Sequence, residues 1–351
     1  MEAGKVESSR CPPEELRIRI LSFDELRQRA LSVYLESVAV PRSIRRQGRD
    51  RVRIMRYVLK CERVFQVVAA ELGRIARLPR TTSMHPFYAE IANIASHGRF
   101  DEIVARAARG VMIVSKLWKE YRERILSSLT PAEAKRLARE FVGRTLSVAR
   151  RSLRHAELLR EAVKALRQTP CIDTESPLVI VAGMPQVGKS TLISRLSTAK
   201  PEISPYPFTT KHVILGHMEV DGHRIQLLDT PGLLDRPNSE MNPIERRAAA
   251  ALRLLRAVTL FLIDPSRDSY YSIDKQLRVL RNVSEIVGVD NLLVVMNKVD
   301  KVDEGRLKSV EELVEEAGFQ VKYRISALKG WGLGELVRGV VEELRRRGLL
   351  A

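Results

Sequence analysis

Two hydrophobic periodicities divide the chain. Residues 1–170 carry apolar positions spaced three and four apart, which is the pattern of amphipathic helices. Residues 171–351 instead carry short apolar, β-branched runs that alternate with segments of helical spacing. Such alternation is typical of a doubly wound α/β sheet. The pattern therefore predicts an all-helical N-terminal bundle (1–170) followed by an α/β domain (171–351).

Proline and capping signals mark the longest helices of the first half. Pro41 predicts the start of a helix that runs past Glu71, because proline is favoured in the first turn. The stretch Thr130-Pro131-Ala132-Glu133 has the spacing of a capping box. It predicts a second long helix that continues to about Leu166.

The second half contains six predicted strands. They lie at 177–182, 213–220, 224–229, 257–263, 292–296 and 320–325. Asp221-Gly222 separates the second and third, and this dipeptide is a hairpin signal. The helices between and after the later strands are predicted near 241–256, 271–287, 304–317 and 333–347. Ligands of such sheets bind at the carboxyl ends of the strands.

A loop bounded by glycines connects the first strand to a helix. Its residues and the first helical ones are Gly183, Met184, Pro185, Gln186, Val187, Gly188, Lys189, Ser190 and Thr191. Two glycines allow backbone N–H groups to surround a polyphosphate, and the helix N-terminus adds positive partial charge. In this pattern Lys189 reaches the β- and γ-phosphates, and the Ser190 hydroxyl ligates Mg²⁺. The stretch predicts a phosphate-binding P-loop.

Two further segments are predicted to complete the phosphate and metal site. Asp229-Thr-Pro-Gly232 ends a strand, where Asp229 would hold the Mg²⁺ shell and the Gly232 N–H would sense a γ-phosphate. Tyr206-Pro-Phe-Thr-Thr210 lies between the P-loop and the second strand, where a switch threonine, Thr210, would ligate Mg²⁺. The predicted catalytic residues are Lys189, Thr210 and Gly232, and Phe208 and Thr209 are predicted nucleotide contacts.

The last two strand ends carry the predicted guanine contacts. In Asn297-Lys298-Val299-Asp300, the Asp300 carboxylate would accept from guanine N1–H and the exocyclic amine, a pattern that adenine does not present. In Ser326-Ala327-Leu328, the Ala327 N–H would meet guanine O6. Five elements in this order predict a GTPase. A nucleoside or metabolite kinase is the alternative for a lone P-loop, but it gives no role to Asn297–Asp300.

Charge is distributed unevenly along the chain. The net charge is +17 and the sequence pI about 10.1, yet residues 171–351 are close to neutral. Heat adaptation would load both halves with Lys and Arg, so the imbalance predicts an anionic partner for residues 1–170. Basic residues recur every three or four positions after Pro41. This arginine stripe comprises Arg42, Arg45, Arg46, Arg49, Arg53, Arg56 and Lys60.

The arginine stripe is predicted to bind nucleic acid. On one continuous helix its members would share a face, and no Glu at i,i+4 relieves their repulsion. Aromatic residues are scarce nearby, which favours contact with backbone phosphates over base stacking. An anionic membrane surface and a plain solvated face are the alternatives.

Cysteine spacing and the length of apolar runs indicate the compartment in which the protein is expected to act. The three cysteines lie far apart and form no CxxC pair, so they predict neither a zinc site nor a disulfide framework. No stretch approaches about 18 uninterrupted apolar residues, and the first residues lack the apolar core of a signal peptide. The sequence predicts a cytoplasmic protein without membrane contact.

These motifs resemble a known family. The P-loop, Phe208-Thr-Thr210, Asp229-Thr-Pro-Gly232 and Asn297-Lys-Val-Asp300 resemble the Obg-like GTPases. Residues 199–211, which read AKPEISPYPFTTK, and His85-Pro-Phe-Tyr-Ala89 are more similar to the Nog (nucleolar GTP-binding) family. The resemblance covers most of residues 40–330. It implies a helical bundle fused to a GTP-hydrolysing domain that acts in assembly of the large ribosomal subunit, with the subunit precursor and its RNA as partners. Eukaryotic members carry a long C-terminal extension, whereas this sequence stops at Ala351, just after the predicted GTPase domain, so it resembles a compact, archaeal-type form.

Two positions depart from familiar GTPase patterns. Leu233 stands where many GTPases place a glutamine that orients the attacking water, so intrinsic hydrolysis is predicted to be slow and a protein or RNA partner to stimulate it. Gln186 stands where potassium-stimulated relatives carry Asn, which argues against potassium activation. A regulatory GTPase whose helical half binds a protein rather than RNA remains the alternative function.

Overall fold

The computed structural model describes residues 16, 18–46, 48–208, 212–230, 234–235 and 240–350. They divide into two compact units. The sheet unit comprises Met84–Ile94 and the described residues from Ala165 onward. The helical unit comprises the described residues up to Ser83 together with Ala95–Lys164.

Within the described residues, seven α-helices precede the first strand. They are α1 (Phe23–Leu35), α2 (Arg42–Arg45), α3 (Arg49–Ala76), α4 (Pro86–Ser96), α5 (Phe100–Leu126), α6 (Pro131–Ser152) and α7 (Ala156–Gln168). In the helical unit α3, α5 and α6 pack around aromatic side chains. Trp118 of α5 lies between Phe65 of α3 and Phe141 of α6, with ring centroids 5.7 Å apart in both pairs. These ring contacts link the three long helices, whose persistence depends on such tertiary packing.

The two longest predicted helices are each interrupted. The predicted helix from Pro41 breaks after Arg45, and α3 begins only at Arg49, because Gly48 adopts φ +99°, outside the right-handed helical region. The helix predicted to continue to about residue 166 ends at Ser152. No Gly or Pro marks this second break, at which tertiary burial of Leu153 outweighs local helix propensity.

A seven-stranded mixed sheet forms the centre of the sheet unit. Its strands are β1 (Leu178–Ala182), β2 (Glu202–Pro205), β3 (His212–Val220), β4 (His223–Asp229), β5 (Ala257–Ile263), β6 (Leu292–Met296) and β7 (Val321–Arg324). The spatial order is β2-β3-β4-β1-β5-β6-β7. The strands β4, β1, β5, β6 and β7 run parallel, while β3 is antiparallel to both of its neighbours. The predicted fold class, a helical bundle followed by a doubly wound α/β domain, is confirmed.

The predicted hairpin is present between β3 and β4. Asp221 and Gly222 both have positive φ, at 52° and 76°, as a two-residue hairpin turn requires. The edge strand β2 was not predicted; it is only four residues long, and such short strands carry little periodic signal.

Helices flank the sheet along the chain. They are α8 (Lys189–Leu196), α9 (Pro243–Ala251), α10 (Ile273–Val287), α11 (Glu304–Glu316) and α12 (Leu333–Arg346). The parallel strands β1, β4, β5 and β6 bring their carboxyl ends to one edge of the sheet, which is where the predicted motifs lie. Across the described residues, no helix is both long enough and apolar enough to cross a membrane.

The start of α4 packs within the sheet unit. Phe87 and Tyr88 are almost fully buried. The Tyr88 hydroxyl accepts from the Ile172 N–H at 3.1 Å, and the Phe87 and Tyr206 ring centroids lie 6.5 Å apart. Pro86 begins α4, so these aromatic contacts hold the first turns of the helix within the sheet unit.

The described cysteines differ from each other. Cys61 is free and buried in α3, and burial raises the pKa of its thiol to about 12. Cys171 is disulfide-bonded. The sequence analysis expected no disulfide framework, and Cys171 departs from that expectation.

Candidate nucleotide site

The P-loop joins β1 to α8 and requires its two glycines. Gly183 has φ +135°, and a Cβ there would lie 2.6 Å from the Leu262 carbonyl oxygen of the neighbouring strand. Gly188 has φ +101°, and a Cβ there would overlap the Asn297 side-chain amide. The loop thus passes closely between β5 and the Asn297 loop, an approach that only glycine permits.

Lys189 points back into the loop that precedes it. Its ammonium donates to the carbonyl oxygens of Gly183 at 2.9 Å and Met184 at 3.0 Å. Burial lowers the pKa of Lys189, while the nearby carboxylates of Asp229 and Asp235 oppose that shift. Among the described residues its hydrogen-bond acceptors are backbone carbonyl oxygens, which do not neutralise its charge, so the ammonium is poised to bind an anion.

Ser190 and Asp229 meet at the carboxyl end of β4. The Ser190 hydroxyl donates to Asp229 Oδ2 at 2.9 Å. Asp229 is fully buried, burial raises the pKa of its carboxyl group, and its Oδ1 has no hydrogen-bond partner among the described residues. A hydroxyl beside an unsatisfied carboxylate oxygen is a donor set that Mg²⁺ prefers. These residues therefore fit a magnesium ion.

A cavity of about 380 Å³ opens beside these groups. It is lined by Pro185, Gln186, Gly188, Lys189, Ser190, Thr191, Asp229 and Asp235. Seven of these eight residues were predicted from sequence. Asp235, which is 8% exposed, was missed because it belongs to no recognised motif. Met184 and Val187, also predicted, are buried and do not line the cavity.

Asn297 links its own loop to the P-loop and to the Ser326-Ala327 turn through side-chain hydrogen bonds. Its side-chain amide donates to the Val187 carbonyl oxygen at 2.8 Å, and its Oδ1 accepts from the Ala327 N–H at 2.9 Å. Asn297 itself is 2% exposed. Both hydrogen bonds are buried, so they fix the P-loop and the Ser326-Ala327 turn against the Asn297 loop.

The remaining predicted base contacts surround Asn297. Lys298 adopts a left-handed conformation, and Asp300 is half-buried in the short turn that follows. Ser326 and Ala327 are buried, whereas Leu328 is 62% exposed. Since the Ala327 N–H already donates to Asn297, its contact with guanine O6 stays a prediction.

For several predicted site residues, the described structure shows no contact that bears on their roles. Thr209, Thr210, Gly232 and Leu233 lie outside the described residues. Phe208 is described and half-buried, with φ +65°, an uncommon value for an aromatic residue. Their roles stay predictions.

Comparison with known proteins identifies the chain. Residues 36–173 match the model of the NOG1 N-terminal helical domain, and residues 178–298 match that of the 50S ribosome-binding GTPase. The sequence is 35% identical over 251 residues to an uncharacterized protein of Methanocaldococcus jannaschii, covering 71% of this chain and 70% of that protein. The chain belongs to the Nog family of GTPases.

Two eukaryotic relatives extend well beyond the matched region. Nucleolar GTP-binding protein 1 of Encephalitozoon cuniculi is 31% identical over 250 residues, which cover 70% of this chain and 47% of the relative. The Drosophila melanogaster protein of the same name is 29% identical over 280 residues, covering 77% and 42%. The chain thus spans less than half the length of these relatives.

A solved structure also resembles the chain. The crystal structure described as nucleolar GTP-binding protein 1 of Plasmodium falciparum is 25% identical, with a TM-score of 0.44. The match covers 51% of this chain and 91% of that one.

The arginine stripe of this Nog protein is split between two helices. Arg42 and Arg45 lie on α2, Arg46 follows it, and the other members lie on α3. The single continuous face predicted for all seven is therefore wrong, because the chain breaks at Gly48. The four members on α3 keep intervals of four, three and four, so they do share one face: Arg49, Arg53, Arg56 and Lys60.

The members of the stripe are mostly exposed. All six of its arginines, Arg49 included, are exposed. Lys60 is half-buried, and its ammonium lies 5.6 Å from the Tyr34 ring centroid. Arg53 approaches Asp50 at 3.8 Å, a pair so exposed that it contributes little. The Arg45 guanidinium donates to the Val40 carbonyl oxygen at 2.9 Å. The buried positions of α3 include Ile54, Val58, Cys61, Val64 and Val68.

Proposed function

We propose that this Nog protein is a Mg²⁺-dependent GTPase that acts in the cytoplasm as a switch in large ribosomal subunit assembly. The proposal includes ribosomal RNA, held by the arginine stripe. The convergence of Lys189, Ser190 and Asp229 on one cavity carries it, because these groups suit a polyphosphate and its metal. The matched models support the ribosomal setting: one is described as a 50S ribosome-binding GTPase.

The residues of the P-loop have distinct tasks in hydrolysis. Lys189 would leave the carbonyls of Gly183 and Met184 and donate to the β- and γ-phosphates, where it stabilises charge that develops in the transition state. Bound Mg²⁺ would supply further neutralisation of the same phosphates. Ser190, Asp229 and Thr210 would hold that ion, and the Gly232 N–H would report the γ-phosphate.

The loops around Asn297 would recognise the base. Asp300 would accept from the two guanine donors, with Asn297 and the Ser326-Ala327-Leu328 turn holding the surrounding loops in place. Since the Asn297 bonds link this region to the P-loop, base binding and phosphate binding share one rigid frame.

Binding of ribosomal RNA by the arginine stripe has a thermodynamic signature. With roughly five to seven phosphate contacts, the log of affinity should fall with log salt at a slope of about −3.5 to −6 because counterions are released. Replacing Arg45, Arg49, Arg53 and Arg56 by Gln should make that slope shallower by about 3. The measurement is a titration of ribosomal RNA across a salt series.

A matched variant controls for the loss of four charges. Arg63, Arg106, Arg124 and Arg144 also lie in the helical unit, but each forms an ion pair with a glutamate. Replacing these four by Gln should leave the slope nearly unchanged. Equal slopes for wild type and the stripe variant would show that the stripe is a solvated face.

A protein partner for the helical unit is the second candidate. Met112 and Ile113 are adjacent on α5 and are 70% and 48% exposed. Exposed apolar neighbours of this kind favour protein contact over contact with phosphates. This candidate would lead if the salt slope failed to depend on the stripe.

A further inference from the structure

A buried aspartate outside every recognised motif contacts the predicted guanine site. Asp264 directly follows β5 and is 1% exposed. Its Oδ2 accepts from the Lys298 ammonium at 2.6 Å. Its Oδ1 accepts from the Ser266 N–H at 3.0 Å and also from the Ser266 hydroxyl. Both carboxylate oxygens are thus engaged, and the second one holds the group in the orientation that faces Lys298.

The backbone of Asp264 is clamped as well. Gln276 of α10 is fully buried, and its side-chain amide bonds the Asp264 main chain in both directions. The Asp264 N–H donates to Gln276 Oε1 at 2.9 Å, and Gln276 Nε2 donates to the Asp264 carbonyl oxygen at 3.0 Å. Asp264 cannot shift without breaking this buried pair of hydrogen bonds, which makes it a rigid reference point.

The backbone around Lys298 is fixed on both sides. Asn297 is bound to the P-loop and to Ala327, and the Val299 N–H donates to the Ile325 carbonyl oxygen at 3.2 Å. Lys298 itself has φ 64° and ψ 30°, a left-handed conformation that costs free energy in a non-glycine residue. With the backbone fixed, only the rotamers of the long Lys298 side chain can vary. The hydrogen bond to Asp264 orders that side chain.

We propose that Asp264 is a positioning residue for guanine nucleotide binding and acts through Lys298. By ordering this rotamer-rich side chain before the ligand arrives, it removes part of the entropy cost of binding. The inference rests on the proposed function, since the ligand is the guanine nucleotide. It goes beyond that function by assigning a role to a residue that touches neither base nor phosphate.

The test compares Asp264→Asn with wild type in titrations with GDP. Affinity should fall by about 3- to 10-fold, the range that follows from freeing one long side chain. In single-turnover assays the GTP concentration for half-maximal rate should rise by the same factor, while the maximal rate changes less than about twofold. Such a split distinguishes positioning for binding from a general loss of structure.

Two further variants decide whether Asp264 acts through Lys298. In a Lys298→Met background, Asp264→Asn should no longer change GDP affinity, because the group it orders is absent. Asp268→Asn is the matched control. Its carboxylate pairs with Lys301 at 3.2 Å but is 70% exposed, so its removal should leave affinity unchanged.

Each outcome bears on a separate claim. Wild-type affinity in Asp264→Asn, or a loss that persists undiminished in the Lys298→Met background, would overturn the positioning role alone. Failure of the unaltered chain to bind GDP would overturn the proposed function, and the positioning role with it.

Discussion

Replacing Lys189 by Met should lower the rate of GTP hydrolysis by about 10²- to 10³-fold, the loss expected for one preorganised donor to transition-state charge. The side chain is buried near Asp229 and Asp235, and within the part of the chain that the structure describes its ammonium donates to backbone carbonyl oxygens. Single-turnover hydrolysis at saturating GTP measures the effect.

The free energy of unfolding of Lys189→Met should not fall along with its hydrolysis rate. Burial lowers the pKa of Lys189 in the folded state, which means that folding disfavours the charged form of this lysine. The folded state therefore gains stability as pH rises through the folded-state pKa. Methionine removes that buried charge. Lys301→Met serves as the control, since Lys301 is an exposed lysine that pairs with Asp268. An active Lys189→Met variant would remove this lysine from the mechanism.

Replacing Asp300 by Asn should weaken GTP binding by about 1.5–3 kcal/mol, because a charge-assisted hydrogen bond to guanine is lost. That loss corresponds to a roughly 10- to 150-fold change in affinity. The amide presents a donor where guanine also presents one, whereas xanthine offers an acceptor at that position. The variant should therefore gain relative affinity for xanthosine triphosphate.

A competition titration of GTP against xanthosine triphosphate measures this change in base preference. Asp303→Asn is a fitting control, because Asp303 lies three residues along the chain and caps α11 through the Arg306 N–H at 2.7 Å. Asn is an equally good capping residue, so this substitution should leave nucleotide preference unaltered. If base preference is the same in wild type and Asp300→Asn, guanine recognition does not reside in this loop.

The phosphate side of the site was largely predictable from sequence. Strand, glycine-bounded loop and helix follow one another without interruption, and parallel strands must bring their carboxyl ends to one edge. The meeting of Ser190 with Asp229, 39 residues apart, follows from that topology. The hydrogen bonds that tie Asn297 to Val187 and Ala327 show the same principle, although sequence could not specify the partners.

The residues that sequence reasoning missed act through long-range contacts. Asp264 has one usable signal, a carboxylate directly after a buried strand, but its pairing with Lys298 depends on strand order. Asp235 lies against the cavity without any motif of its own. On the helical side, periodicity placed Arg49, Arg53 and Arg56 on one face. It could not detect the break at Gly48, since glycine also occurs within helices.

Under the proposed function, this Nog protein is a slow GTPase that large ribosomal subunits or their precursors accelerate. Single-turnover hydrolysis of GTP, measured with and without large ribosomal subunits or their precursors, tests it most directly. The free chain should turn over at about 10⁻⁴–10⁻² s⁻¹, the range of unassisted switch GTPases, because Leu233 cannot orient the attacking water. Added subunits should raise the rate. Fast turnover by the free chain, or a rate that large subunits leave unchanged, would contradict the account.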